Sequence, residues 1–193
     1  PGGAVEADRL AVEEPLEIRI DGTSVAVTMR TPGHDEELAL GFCLTEGLHP
    51  GGAHPTADLA ANVVDVDAPG ADLGKIQRSF YTSSSCGVCG KGALEEVDAP
   101  PPPPGPVIAR ELLATLPDHL SQPTFERTGG LHATGLFTSG GKLVEVREDV
   151  GRHNAMDKVI GRAFLDGLLP LRDHILCVSG RLSFELVQKA AVA

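Results

Sequence analysis

Apolar and polar residues alternate with period two across Leu16-Glu17-Ile18-Arg19-Ile20. Val25-Ala26-Val27-Thr28-Met29 reads as a second strand, and Asp21-Gly22 lies between the two. Alternation sends successive side chains to opposite faces, and Asp-Gly is a preferred tight turn, so this stretch predicts a β-hairpin. The period then changes. Leu40, Leu44 and Leu48 recur every fourth residue, with Leu38 and Phe42 widening the face. That spacing predicts a helix opened by Thr31-Pro32-Gly33 and ended by Gly47. Asp35, Glu36 and Glu37 fall in its first turn, where the helix dipole favours acids, and read as a solvated start.

Further along, residues 49–62 carry Gly, Ala, His and Pro and read as a loop. Val63-Val64-Asp65-Val66 is a short strand, and Lys75–Thr82 a further one. Weak helical character runs over Gly90–Val97. Residues 107–120 form a helix around Leu112, Leu113 and Leu116. Leu136-Phe137 and Leu143–Val146 pair across Ser139-Gly140-Gly141 as a second hairpin. A helix follows with Met156, Val159, Ile160, Ala163 and Phe164 on its buried side. His174–Val178 is a buried strand, and an amphipathic helix starts at Ser183 with Phe184, Leu186 and Val187. Hairpins followed by strand–helix alternation predict an α/β layered fold with a mixed sheet flanked by helices and an N-terminal β-hairpin. Pro100–Pro104, within a proline-rich spacer at 99–106, reads as a stiff surface crossing inside a single domain over 1–193, with a domain boundary as the competing reading. Ala193 ends the chain inside an uncapped helical pattern, so a C-terminal truncation is expected.

Composition narrows the function. Of 193 residues 41% are apolar, which suffices for one sizeable core. The formal net charge of −11 argues against a nucleic-acid or membrane-surface binder, whose footprint would be basic. No apolar run is long enough to span a bilayer. Four cysteines are too few for a disulfide scaffold, and no export signal opens the chain, so a cytoplasmic location is expected. Cys43 and Cys177 stand in apolar contexts and read as buried small hydrophobes.

Cys86 and Cys89 are different. They form a CxxC within Ser83-Ser84-Ser85-Cys86-Gly87-Val88-Cys89-Gly90-Lys91, a stretch with too little apolar surface to be core. A helix N-terminus and a nearby cation such as Lys91 favour the thiolate, the reactive form. Such a pair suits persulfide chemistry or a dithiol–disulfide couple. Half of a structural zinc site would need two more ligands at suitable spacing. A zinc-dependent deaminase-like hydrolase is the alternative, with His34 and the two cysteines on the metal and Glu36 as proton shuttle. Ser85, where that motif has proline, weakens it.

A second cluster runs from Asp149 to Lys158. Asp149, Arg152, His153, Asn154, Asp157 and Lys158 crowd one strand-to-helix junction. Asp157 stands four residues after His153, where a carboxylate can orient the imidazole. Arg152 and Lys158 suit a phosphate or carboxylate. Ordinary ion pairs on a solvated helix face are the competing reading. Ser179-Gly180-Arg181, between strand and helix, is a plausible anion site. His132, flanked by glycines, is either an acid–base group or a satisfied loop histidine.

Taken in order, Glu13-Glu14-Pro15-Leu16, the Thr31–Leu48 helix, Ser84–Gly90, Gly129–Ala133, Glu148–Ala155 and Ser179–Glu185 resemble the formate dehydrogenase accessory sulfurtransferases of the FdhD type. The resemblance implies a cytidine-deaminase-like fold, a homodimer and a cytoplasmic sulfur carrier. It implies that a cysteine desulfurase donates sulfane sulfur, held as a persulfide. The sulfur passes to the molybdenum of a bis-molybdopterin guanine dinucleotide cofactor serving the formate dehydrogenase molybdenum subunit. A guanine nucleotide such as GDP would occupy the same site. Carried over residue by residue, Cys86 bears the persulfide and Cys89 is its partner, with no resident metal. His132, Asp149, Arg152, His153, Asn154, Ser179, Gly180 and Arg181 are expected around the cofactor or the loop.

Overall fold

The computed structural model describes residues 7–56, 62–73 and 104–193. Two sheets and two central helices form its layers. Strands β1 (Glu14–Ile20) and β2 (Thr23–Arg30) make the expected antiparallel hairpin, turning through Asp21 and Gly22 at φ 48° and 80°. Parallel to β1 runs β4 (Val63–Asp67), and β3 (Gly52–Pro55) pairs antiparallel with β4. The sheet order is β2-β1-β4-β3. Residues 49–62, expected as loop, therefore contribute an edge strand, formed by cross-strand pairing that no local pattern announces.

A separate antiparallel sheet has the order β6-β5-β7, built from β5 (His132–Thr138), β6 (Leu143–Asp149) and β7 (His174–Val178). One mixed sheet was the expectation; the mixed sheet carries only the first half of the strands. Strand β5 is central and buried on both faces, which hides the alternation that would mark it as a strand.

Helix α1 (Asp35–Thr45) lies on the first sheet with Leu38, Leu40 and Cys43 against Leu16, Ile18, Val64 and Val66. Gly47 at φ 81° ends it as the sequence predicts. The helix between β6 and β7, numbered α4 (Arg152–Leu165), packs Val159 and Ala163 on Leu136 of the second sheet. Helices α1 and α4 then pack on one another at backbone contact. A Cβ at Gly41 would fall 1.8 Å from the Asp157 carbonyl oxygen, and one at Gly161 1.8 Å from that of Glu37. Two glycines, one on each helix, are what let the layers close.

On the outer face of β5, Leu116, Leu120, Ala133 and Phe137 form a small core. Leu116 belongs to a 3-10 turn (Leu116–His119) that follows α2 (Arg110–Thr115). The expected 107–120 helix is thus shortened and tightened, because Pro117 cannot donate inside a helix. A further short helix, α3 (Pro123–Thr128), was not foreseen. The last helix, α5 (Phe184–Val192), is capped by Ser183, whose hydroxyl accepts from Leu186 N. It sets Leu186 against Met156 and Ile160 of α4. The Lys75–Thr82 strand, the Ser83–Lys91 loop with Cys86 and Cys89, the 90–97 helix and most of the 99–106 proline spacer lie outside the described residues. No helix among the described residues is long and apolar enough to cross a membrane.

Candidate functional site

The junction of β6 and α4 is first of all a scaffold. Asp149 is fully buried, and its carboxylate meets Lys158 Nζ at 2.7 Å. Thr31 N, Gly151 N and Asn154 Nδ2 donate to the same carboxylate at 3.1, 2.8 and 3.0 Å. Lys158 Nζ also donates to Thr31 O, and Asn154 Nδ2 to Met29 O. These bonds tie the second half of the chain to the β2–α1 turn. Lys158 is 1% exposed and already paired, so it cannot serve as the phosphate cation that its position in the sequence suggests. Asp149 and Asn154 stand behind the site with their polar atoms engaged internally.

Two neighbours of Asp149 extend the scaffold. Arg147 grips Glu37 of α1 through Nε at 2.6 Å and Nη2 at 2.9 Å. Glu148 accepts from Thr124 N and Phe125 N, anchoring the start of α3. The acidic first turn of α1 is therefore not a solvated surface: Glu37 is buried on Arg147, and Asp35 receives two hydrogen bonds from buried Arg30. Only Glu36 of the three faces solvent.

In front of this frame, several of the expected site residues converge. A Cβ on Gly180 would lie 3.0 Å from His132 Nδ1 and 3.9 Å from Arg152 Cδ. Gly180 thus lets the β7–α5 turn approach the β5 start and the α4 N-terminus. Ser179 is locked there, its hydroxyl accepting from Ala133 N at 2.8 Å and its own N–H donating to Ala133 O. His132 pairs in register with Asp149 at the β5–β6 edge. Arg181 is exposed on the same turn. A cavity of about 440 Å³ opens beside them, with Gln122, Phe125, Gly130, His132 and Ser179 in its walls.

Arg152 Nε is buried and finds no acceptor among the described residues. A buried guanidinium N–H without a partner is costly, and an anion is the group that satisfies it. His153 adjoins it. Burial first, then the positive Arg152, Lys189 and the nearby His132, push this imidazole down to about 4. It is neutral at pH 7.

The carboxylate beside His153 is not Asp157. Asp157, one turn further along α4, pairs with Lys189 Nζ at 2.9 Å, with Thr45 joining from α1. His153 Nε2 instead lies 3.1 Å from Glu185 Oε2 and 3.5 Å from Ser183 Oγ, both from the start of α5. Spacing along one helix suggested the wrong partner because the neighbouring helix reaches the ring first. The Ser179–Glu185 run was the only signal for Ser183 and Glu185.

His34 sits at the start of α1 with φ 60°, its ring exposed and Nδ1 3.4 Å from Glu37. Cys43 is buried, which with Asp157 and Glu46 pushes its thiol up to about 12, so it is unreactive. Burial also raises Cys177. Cys43 matches its expected role as a buried small hydrophobe, whereas Cys177, expected to be buried, is only half-buried against the core on β5.

Residues 11–193 match the model of the FdhD/NarQ family. The chain belongs to the FdhD/NarQ family. It is 50% identical over 218 residues to the sulfur carrier protein FdhD of Streptomyces avermitilis, covering 99% of this chain and 76% of that one. The sulfur carrier protein FdhD of Mycobacterium tuberculosis is 49% identical over 213 residues, covering 96% and 76%. A crystal structure of a formate dehydrogenase accessory protein from Desulfotalea psychrophila has the same fold, with a TM-score of 0.70 at 24% identity, covering 96% of this chain and 71% of that one.

Proposed function

We propose that this FdhD/NarQ-family chain is a sulfur carrier that takes a sulfane sulfur from a cysteine desulfurase and delivers it to a molybdenum cofactor destined for formate dehydrogenase. Family membership supports the sulfur chemistry. The observation that carries the delivery site is the mouth formed by His132, Arg152, Ser179 and Gly180, with His153 near Arg152 and His132, and with a buried Arg152 N–H that has no acceptor among the described residues. An anion held there is the phosphate of the bis-molybdopterin guanine dinucleotide, or of a guanine nucleotide such as GDP. Arg152 binds it, and Arg181 on the adjoining turn adds charge.

The chemistry balances on the two cysteines. Cys86 thiolate attacks the terminal sulfur of the desulfurase persulfide; the desulfurase thiol leaves, and Cys86 carries the S–S–H. Cys89 thiolate then attacks the Cys86 sulfur. The persulfide bond breaks, the terminal sulfur departs as sulfide to the molybdenum, and a Cys86–Cys89 disulfide remains. Two electrons have moved from the cysteines to sulfur, and a dithiol reductant restores them. We take the layered fold to be cytidine-deaminase-like, as the resemblance implies. In that reading the carrier acts as a cytoplasmic homodimer that docks on the molybdenum subunit of formate dehydrogenase. The zinc deaminase reading has less support, since His34 is turned to Glu37.

Delivery is tested by loading the protein with labelled sulfur and following it to cofactor-depleted formate dehydrogenase supplied with the cofactor. Arg152→Ala is expected to keep its label and fail to activate the enzyme. Full activation by that variant would remove Arg152 from the site.

A further inference from the structure

Helices α4 and α5 meet through two rungs. His153 and Asp157 stand four residues apart on α4, and Glu185 and Lys189 stand four apart on α5. The inner rung is Asp157 with Lys189 at 2.9 Å, both side chains at most 5% exposed, and Lys189 also donates to Thr45 Oγ1 at 2.8 Å. Burial pulls the Lys189 ammonium down, but Asp157, Glu46 and Glu185 outweigh it and hold it above the ordinary lysine range. This charged rung fixes where α5 lies along α4. The outer rung, His153 with Glu185, is thereby placed and cannot slide.

Glu185 Oε2 is buried and accepts no hydrogen bond among the described residues, although His153 Nε2 is only 3.1 Å away. The two atoms are within ion-pair range without forming a hydrogen bond. A buried carboxylate oxygen without a donor is costly, and a small turn of the imidazole supplies one. Hydrogen bonds around reactive sites are often misaligned until a ligand is bound. Ser183 Oγ, at 3.5 Å from Nε2, holds the same edge of the ring and caps α5.

We propose that Glu185 is a positioning residue that holds His153 in its Nε2–H form, leaving Nδ1 as the one hydrogen-bond acceptor of the ring. The proposal rests on the reading of this mouth as a ligand site and assigns a division of labour within it. Arg152 supplies the cation. His153, faced by Arg152 on its own helix, by His132 on β5 and by Lys189 and Glu185 on α5, stays neutral and supplies an acceptor. The ligand class that fits carries an anionic group with an N–H or O–H donor close by.

The test is long-range proton–nitrogen NMR of the histidine rings in the whole chain at pH 7, with GDP affinity measured in parallel. His153 is expected in the Nε2–H form in the unaltered protein and in Glu185→Gln, whose amide oxygen still accepts. In Glu185→Ala the two tautomers should mix, and GDP should bind about tenfold more weakly, while Glu185→Gln stays within about twofold. An Nδ1–H ring in the unaltered protein overturns the proposal, as does a tautomer that Glu185→Ala leaves unchanged. Absence of GDP binding by the unaltered protein would count against the ligand site instead, and the tautomer would still decide the role of Glu185.

Discussion

Lys158 Nζ lies 2.7 Å from Asp149 Oδ2, and neither side chain is more than 1% exposed. This pair divides the Asp149–Lys158 cluster: Asp149, Asn154, Asp157 and Lys158 are buried in internal pairs, and only Arg152 and His153 are partly open. Removing one partner leaves a buried charge uncompensated, which costs about 3–5 kcal/mol. Lys158→Met should lower the urea unfolding free energy by that amount. A loss below about 1 kcal/mol would show that Asp149 is satisfied by its N–H donors alone.

The α1–α4 crossing predicts a second, purely steric effect. Gly41→Ala and Gly161→Ala each drive a methyl into a backbone carbonyl of the facing helix. Overpacking of this kind costs about 3 kcal/mol, and here nothing flexible can give way. Thermal unfolding of either variant checks it. A Tm equal to that of the parent would mean that the helices are not in backbone contact.

Much of this was legible in the sequence, and the exceptions share a cause. The hairpin at Asp21-Gly22, α1, α4 and α5 follow from periodicity and turn residues, and the β5–β6 hairpin from its Ser139-Gly140-Gly141 turn. Strand β3 and helix α3 do not, because both are held by partners distant in the chain: β4 for the one, the Glu148 carboxylate for the other. The shared placement of His132, Arg152 and Gly180 was implied by the resemblance, whereas residue type alone left His132 open as a satisfied loop histidine. Which carboxylate serves His153 was not, since spacing along α4 cannot reveal that α5 supplies Glu185 and that Asp157 is taken by Lys189.

The neutral His153 gives a pH prediction. Its folded value of about 4 lies below the ordinary 6.5, so between these limits the unfolded chain binds more protons than the folded one. Its contribution to stability is full above pH 6.5 and is lost as the pH falls toward 4. His153→Gln should therefore lose less stability than the parent across that window, by on the order of 2 kcal/mol after solvent screening. Parallel pH–stability curves would speak against a depressed imidazole.

Arg152 carries the anion claim. Arg152→Ala should weaken GDP binding roughly 10- to 100-fold, the usual worth of a charge-assisted hydrogen bond. Persulfide formation on Cys86 should be unaffected, because acceptance and delivery use different groups. Calorimetry and thiol labelling separate the two.

Sulfur carriage itself is tested most directly by peptide-resolved mass spectrometry after incubation with a cysteine desulfurase and cysteine. The account predicts one added sulfur on the peptide bearing Cys86, none in Cys86→Ala, and a Cys86–Cys89 disulfide once the sulfur has been released. One equivalent of sulfur on Cys86→Ala, or none on the parent protein, would contradict it.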